Sequence, residues 1–131
     1  MNMEAFVSFF NSMGPVVIDR FGQENRCSIS ITRPDAFLLK QQARDGNGTL
    51  IGSGAYQIDI PNIESVAYTV LSFHEFSTGG PTQYFVNIIL KHSITDIDGG
   101  KCRAIGIFAA SDEYGKRIKL SLEEMAGLSP H

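Results

Sequence analysis

Apolar positions along this chain recur at two different spacings, and each spacing predicts its own kind of element. Met3, Phe6, Val7, Phe9, Phe10 and Met13 fall on one broad helical face, which predicts a helix over 3–13. Asn2 can cap it, Glu4 suits the positive end of its dipole, and Gly14-Pro15 should stop it. Val16, Val17, Ile18 and Phe21 then continue as a second turn or an extended piece. A Met/Phe stripe without a charged complement reads as core-facing, not as a membrane-surface helix.

The spacing changes to two at Cys27–Thr32. Cys27, Ile29 and Ile31 alternate there with Ser28, Ser30 and Thr32, as in a strand with one buried face. Thr32-Arg33-Pro34-Asp35 looks like a helix start, and 36–44 are good helix formers. A strand containing Phe37 and Leu39 competes with that reading. Asp45-Gly46-Asn47-Gly48 is the strongest turn signal. A strand over 49–60 follows, with Tyr56, Ile58 and Ile60 alternating. Gly52 and Gly54 mark a bulge in it, or a place where a backbone or ligand comes close.

Residues 65–76, 83–96 and 101–110 read as a meander of three antiparallel strands. Symmetric closure of the first turn, over 77–82, pairs Phe73 with Val86 and Leu71 with Ile88. A two-residue Gly99-Gly100 turn pairs Asp98 with Lys101, Asp96 with Arg103, Ile94 with Ile105 and His92 with Ile107. One face then carries Leu71, Phe73, Tyr84, Val86, Ile88, Leu90, Ile94, Ile105, Ile107 and Ala109, and the N-terminal helix is its natural cover. The other face is mixed, with a shallow trough of Cys102, Ala104 and Gly106 beside larger aromatics. At the end of the chain, Lys116–Leu122 alternates like a short strand. Ser121 then caps a short helix that Gly127 and Pro130 close.

The fold class expected is therefore α+β: an N-terminal helix on a curved antiparallel sheet of four to six strands, with a short C-terminal helix or strand, as one domain over 1–131. Composition agrees, since 43% of the residues are hydrophobic, enough to build a core without disulfide or metal. The net charge of −3 is mild and well mixed, which argues against a nucleic-acid surface. The Lys116, Arg117 and Lys119 cluster lies beside Glu123 and Glu124 and reads as a solvated element end. No signal peptide and no apolar run of roughly 18 residues are seen, so a cytoplasmic protein with reduced Cys27 and Cys102 is expected.

Reactive chemistry is sparse. No C-x-x-C, H-E-x-x-H, G-x-S-x-G or phosphate-loop motif occurs, so no metal, cofactor or catalytic set is expected. His74 and Glu75 diverge on a strand. The pairing instead gathers Tyr68, Ser72, His74, Phe85, Asn87, Cys102 and Phe108 on the mixed face, as a ligand or partner surface. His92 falls among core aliphatics, and Asp96 and Asp98 are explained by ion pairs with Arg103 and Lys101.

The leading functional expectation is a non-catalytic binding or accessory protein that uses this face as a homodimer. Monomers seldom expose apolar patches beyond a few hundred Å², roughly. The alternatives are a small enzyme or small-molecule carrier, of the cystatin-like or NTF2-like shape, with a pocket around His74, and a structural subunit of a phage or secretion assembly. An immunity-type or inhibitor protein is a further alternative. Expected partners are a second copy, another protein or a small molecule, with no nucleic acid and no membrane.

Overall fold

The computed structural model describes residues 2–12, 17–18, 22–71, 82–96 and 98–128. It is α+β, with seven antiparallel strands in two sheets and a helix near each end. The first helix, α1, spans Met3–Asn11, and its Asn2 side chain accepts a hydrogen bond from the Ala5 N–H at 2.8 Å. A two-residue strand β1 (Val17–Ile18) lies on the edge of β2 (Glu24–Arg33), which pairs with β3 (Ala36–Arg44), which pairs with β4 (Leu50–Asp59). A 3-10 turn at Ile60–Asn62 leads into β5 (Ile63–Leu71), the first strand of a second sheet completed by β6 (Gln83–Thr95) and β7 (Lys101–Ala109). The second helix, α2, spans Asp112–Ala126.

Residues 36–44 are a strand, not the helix expected from their propensities. Phe37 and Leu39 are fully buried on one face, while Pro34-Asp35 makes a tight hairpin turn where a helix start was expected. Burial of two large apolar side chains outweighs a few tenths of a kcal/mol per residue of helix propensity, roughly. The C-terminal expectation also fails. Helix α2 starts at a Ser111 cap, ten residues before Ser121, and it covers the stretch that alternates like a strand. Ile118 and Leu122 are buried one helical turn apart, whereas Leu120 is 53% exposed, so the period is helical. Gly127, at φ 69, closes α2 in the left-handed conformation that glycine adopts without strain.

There are two sheets where one was expected, and the helices divide the work. Helix α1 packs chiefly on β2, and α2 packs on β5, β6 and β7. The meander's apolar face is therefore covered by α2 and not by α1. Phe9 of α1 stacks on Tyr114 of α2 at 5.3 Å between centroids, and the Arg117 guanidinium lies 4.2 Å from the other partner ring centre, that of Phe9. One contiguous apolar cluster draws on both helices and both sheets, with Phe6, Phe10, Phe37, Ile58, Ile88, Ile107, Ile118 and Leu122 among its deepest members.

The meander register is displaced from its expected one. Leu71 meets Gln83 and not Ile88, a slip of five residues. An odd slip swaps the faces of β5. Tyr68 and Val66 stand opposite Val86 and Ile88 on the α2 side, and Leu71 is 37% exposed. Between β6 and β7, Ile94 meets Cys102, and after an irregularity Ile88 meets Ile105. The turn is longer than Gly99-Gly100. The Asp96 carboxylate accepts from the Asp98 and Gly100 N–H groups at 2.8 and 3.0 Å, and the Asp96 N–H donates to the Gly100 carbonyl. The slip along β6 is six residues at Ile105, an even number, so Val86, Ile88, Leu90, Ile105, Ile107 and Ala109 keep the buried face expected for them. Asp96 thus serves the turn, and Arg103 reaches the Leu90 carbonyl at 3.2 Å and Glu64 at 3.4 Å. His92 is exposed, not buried.

Two asparagines finish strand edges with side chains. Asn11 both donates to the Ile29 carbonyl and accepts from the Ile29 N–H, each at 3.0 Å. Asn62 does the same for His92, at 3.1 and 3.0 Å, where β6 runs past its last paired residue on β5. A carboxamide has one donor side and one acceptor side, so it satisfies both backbone groups of an extended residue.

Candidate functional site

The inward face of the first sheet changes character along its length. Its rows run across β2, β3 and β4 as Ile31–Phe37–Ile58, then Ile29–Leu39–Tyr56, then Cys27–Gln41–Gly54, then Asn25–Ala43–Gly52. Phe37, Ile58, Ile29 and Leu39 of the first two rows belong to the core, and Ile31 at the margin is exposed. The last two replace aliphatic bulk with a thiol, amides and small residues. A cleft of about 240 Å³ opens over them, closed on its far side by Gly106 and Phe108 of β7. Gln41 Nε2 spans the gap, donating to the Gly106 carbonyl at 2.6 Å. It ties the two sheets together at the floor of the cleft.

The phenol end of Tyr56 folds back over Gly54, and the tip of the Phe85 ring lies over Gly106. A Cβ at either glycine would collide with those rings. Phe85 also packs against Phe108 at 5.4 Å between centroids. Three consecutive residues, Gly52, Ser53 and Gly54, line the cleft. Successive side chains of a strand point to opposite faces, so it is the backbone of β4 that borders the cavity there.

The titratable walls are held neutral. Burial pushes the Cys27 thiol up to about 12, against a smaller opposing effect of its hydrogen bond with Gln41. Burial also raises the Tyr56 phenol, helped by neighbouring Cys102 and Asp96, and raises Cys102, again with Asp96 contributing. Arg26 is the charged residue at the rim, and its guanidinium lies 3.9 Å from Glu24. Among the described residues no group of three or more His, Cys, Asp or Glu is placed to hold a metal.

A thiol with so high a pKa is a poor nucleophile. Alkylation of Cys27 in the native protein at pH 8 is expected to run about a thousandfold slower than in the unfolded chain. Peptide-level mass spectrometry of timed iodoacetamide reactions checks this, and equal rates in both states would refute it. A pKa raised on folding contributes stability that is complete below about pH 9, the thiol's ordinary value, and is lost as pH rises towards about 12.

Of the residues expected to share one surface, Phe108 lines the cleft and Phe85 backs it. Asn87 stands directly opposite Gly106 on β6, and Cys102 lies near Tyr56. Tyr68 is on the other face, where its hydroxyl donates to Asp112 at 2.5 Å and its ring sits against Gly115 of α2. Ser72 and His74 lie outside the described residues. The sequence pattern does not single out Gln41 or Tyr56 as site residues, and it places Cys27 on the buried face of its strand. Its two usable signals were the Gly52/Gly54 pair and the trough at Gly106.

A second, more open depression of about 860 Å³ is lined by Arg33, Asp35, Asp59, Asn62 and Lys91 to Ile94. Within it Arg33 is paired to Asp59, and Asn62 is bound to the backbone of His92. The smaller cleft is the better-formed site. No helix among the described residues is long and apolar enough to cross a membrane. Comparison with protein families, curated proteins and solved structures yielded no match to this chain.

Proposed function

We propose that this protein is a non-catalytic binding protein whose cleft between the two sheets takes a small uncharged ligand. The carrying observation is the chemistry of the walls. Cys27, Gln41, Tyr56, Gly106 and Phe108 offer neutral donors, acceptors and rings, while burial keeps the thiol and the phenol protonated. A general acid or base at neutral pH needs a pKa near the working pH, and a thiol nucleophile needs a lowered one. The groups here are shifted away from both conditions. A cavity of about 240 Å³ is just below the range of roughly 300–1,000 Å³ typical of ligand sites, which suits a compact molecule. The aromatic residues expected to seat a second copy, Phe85 and Phe108, serve in this reading as the wall of a ligand site.

Gly52→Trp tests the proposal. Gly52 lines the cleft, and a Cβ there meets nothing within 4 Å, so the larger side chain can enter without displacing backbone. In a nuclear magnetic resonance screen of uncharged fragments, hits on the native protein should shift the resonances of Gln41, Gly52–Gly54 and Phe108. The G52W protein should fold, with an unchanged circular dichroism spectrum, and lose those hits. Hits that map elsewhere, or that survive G52W, would refute the proposal.

A further inference from the structure

Resting on that reading, the geometry points to an uncharged planar aromatic ring with a hydrogen-bonding edge, such as a nitrogen heterocycle or an aromatic amide, as the ligand of the cleft. Three observations converge on it. The first is the missing layer of side chains. Packed sheets normally stand about 10 Å apart because side chains from both fill the space. Here the inward row Asn25–Ala43–Gly52 ends in small residues, and an added Cβ at Gly52 has open space before it. What remains between β4 and β7 is a slot.

The second observation is the position of the rings. Tyr56 lines the slot from the first sheet and Phe108 from the second. Tyr56 is held down over Gly54, and Phe108 is backed by Phe85. Two anchored rings on opposite walls favour a flat guest, since aromatic pairs gain beyond simple area burial when offset-stacked or edge-to-face. The third is the border. The backbone at Gly52, Ser53 and Gly54 lines the slot, and among the described residues β4 is the outermost strand of its sheet. An outer strand has backbone N–H and C=O groups with no strand neighbour on that side, and such groups recognise a donor–acceptor edge lying in the plane of a ring. A charged ring would find no buried counter-ion, because the thiol and phenol stay neutral.

Benzamide and cyclohexanecarboxamide share the amide edge and nearly the same size, and differ in planarity. Both are titrated into the full chain at millimolar concentrations and followed by chemical-shift changes at Gly52–Gly54 and Phe108. Benzamide should bind at least about fivefold more tightly. Tyr56→Leu should remove that preference and Tyr56→Phe should keep it, with circular dichroism confirming that both variants fold. Equal affinity for the two amides, with shifts still at the cleft, would overturn the planar-ring inference and leave the binding reading intact. No cleft shifts from either amide, nor from the wider fragment screen, would overturn both.

Discussion

Lys119→Met is expected to destabilise the protein by about 3–5 kcal/mol. Lys119 Nζ sits 2.8 Å from both carboxylate oxygens of Glu123, one turn along α2. The Glu123 side chain is 1% exposed and that of Lys119 only 13%. The pair therefore lies out of water. Removing the ammonium leaves a carboxylate with neither counter-ion nor hydration, and total stabilities of domains this size are only about 5–15 kcal/mol. The double replacement K119M/E123L should recover most of the loss, because two apolar side chains of similar volume need no charge compensation. Lys116→Met is the control. Its ion pair with Asp112, at 3.0 Å, is exposed on both sides and should be worth under about 1 kcal/mol. Urea denaturation of the four proteins separates these outcomes. A loss of under about 1 kcal/mol for K119M would show that the pair is hydrated.

Phe37→Ala should cost about 3–5 kcal/mol, and Leu38→Ala about 1 kcal/mol. The neighbours differ because a strand turns them to opposite faces. Phe37 is 1% exposed, stands across from Ile31 and Ile58, and packs at 5.8 Å on the Phe6 ring of α1. Leu38 is half-buried on the outer face, between Ser30 and Gln57. In a helix the two positions would differ by only a 100° turn, roughly, and could share the core margin. Comparable losses at both sites would contradict the strand assignment.

That pair of residues also shows where sequence reading stops. The period of two in Phe37 and Leu39 was visible, but Ala36, Lys40, Gln41 and Gln42 are good helix formers, and a local reading has no means to weigh burial it cannot see. The C-terminal stretch failed in the opposite direction. Ile118, Leu120 and Leu122 alternate, and only contact with the second sheet shows that Leu120 is the one left in water. In the meander, the face assignments of Val86, Ile88, Leu90, Ile105, Ile107 and Ala109 survived because their slip was even, whereas Ile94 and Cys102, expected on opposite faces, stand across from each other. Those of β5 did not survive, because the register was inferred from the symmetry of a turn. The cleft was half legible. Gly52, Gly54 and Gly106 signal thin places in a sheet, but the meeting of Cys27, Gln41 and Tyr56 with Phe108 depends on how two sheets face each other, and no local pattern encodes that.

The carboxamides of Asn11 and Asn62 make two strand borders depend on single amide groups. Each satisfies an N–H and a C=O of one residue at once, which a carboxylate cannot do. Hydrolysis of the Asn11 amide to aspartate would still let the side chain accept from the Ile29 N–H but would leave the Ile29 carbonyl facing an anion. Loss of ammonia at a single side chain would in this way strip a buried carbonyl of its donor and loosen the seam between α1 and β2.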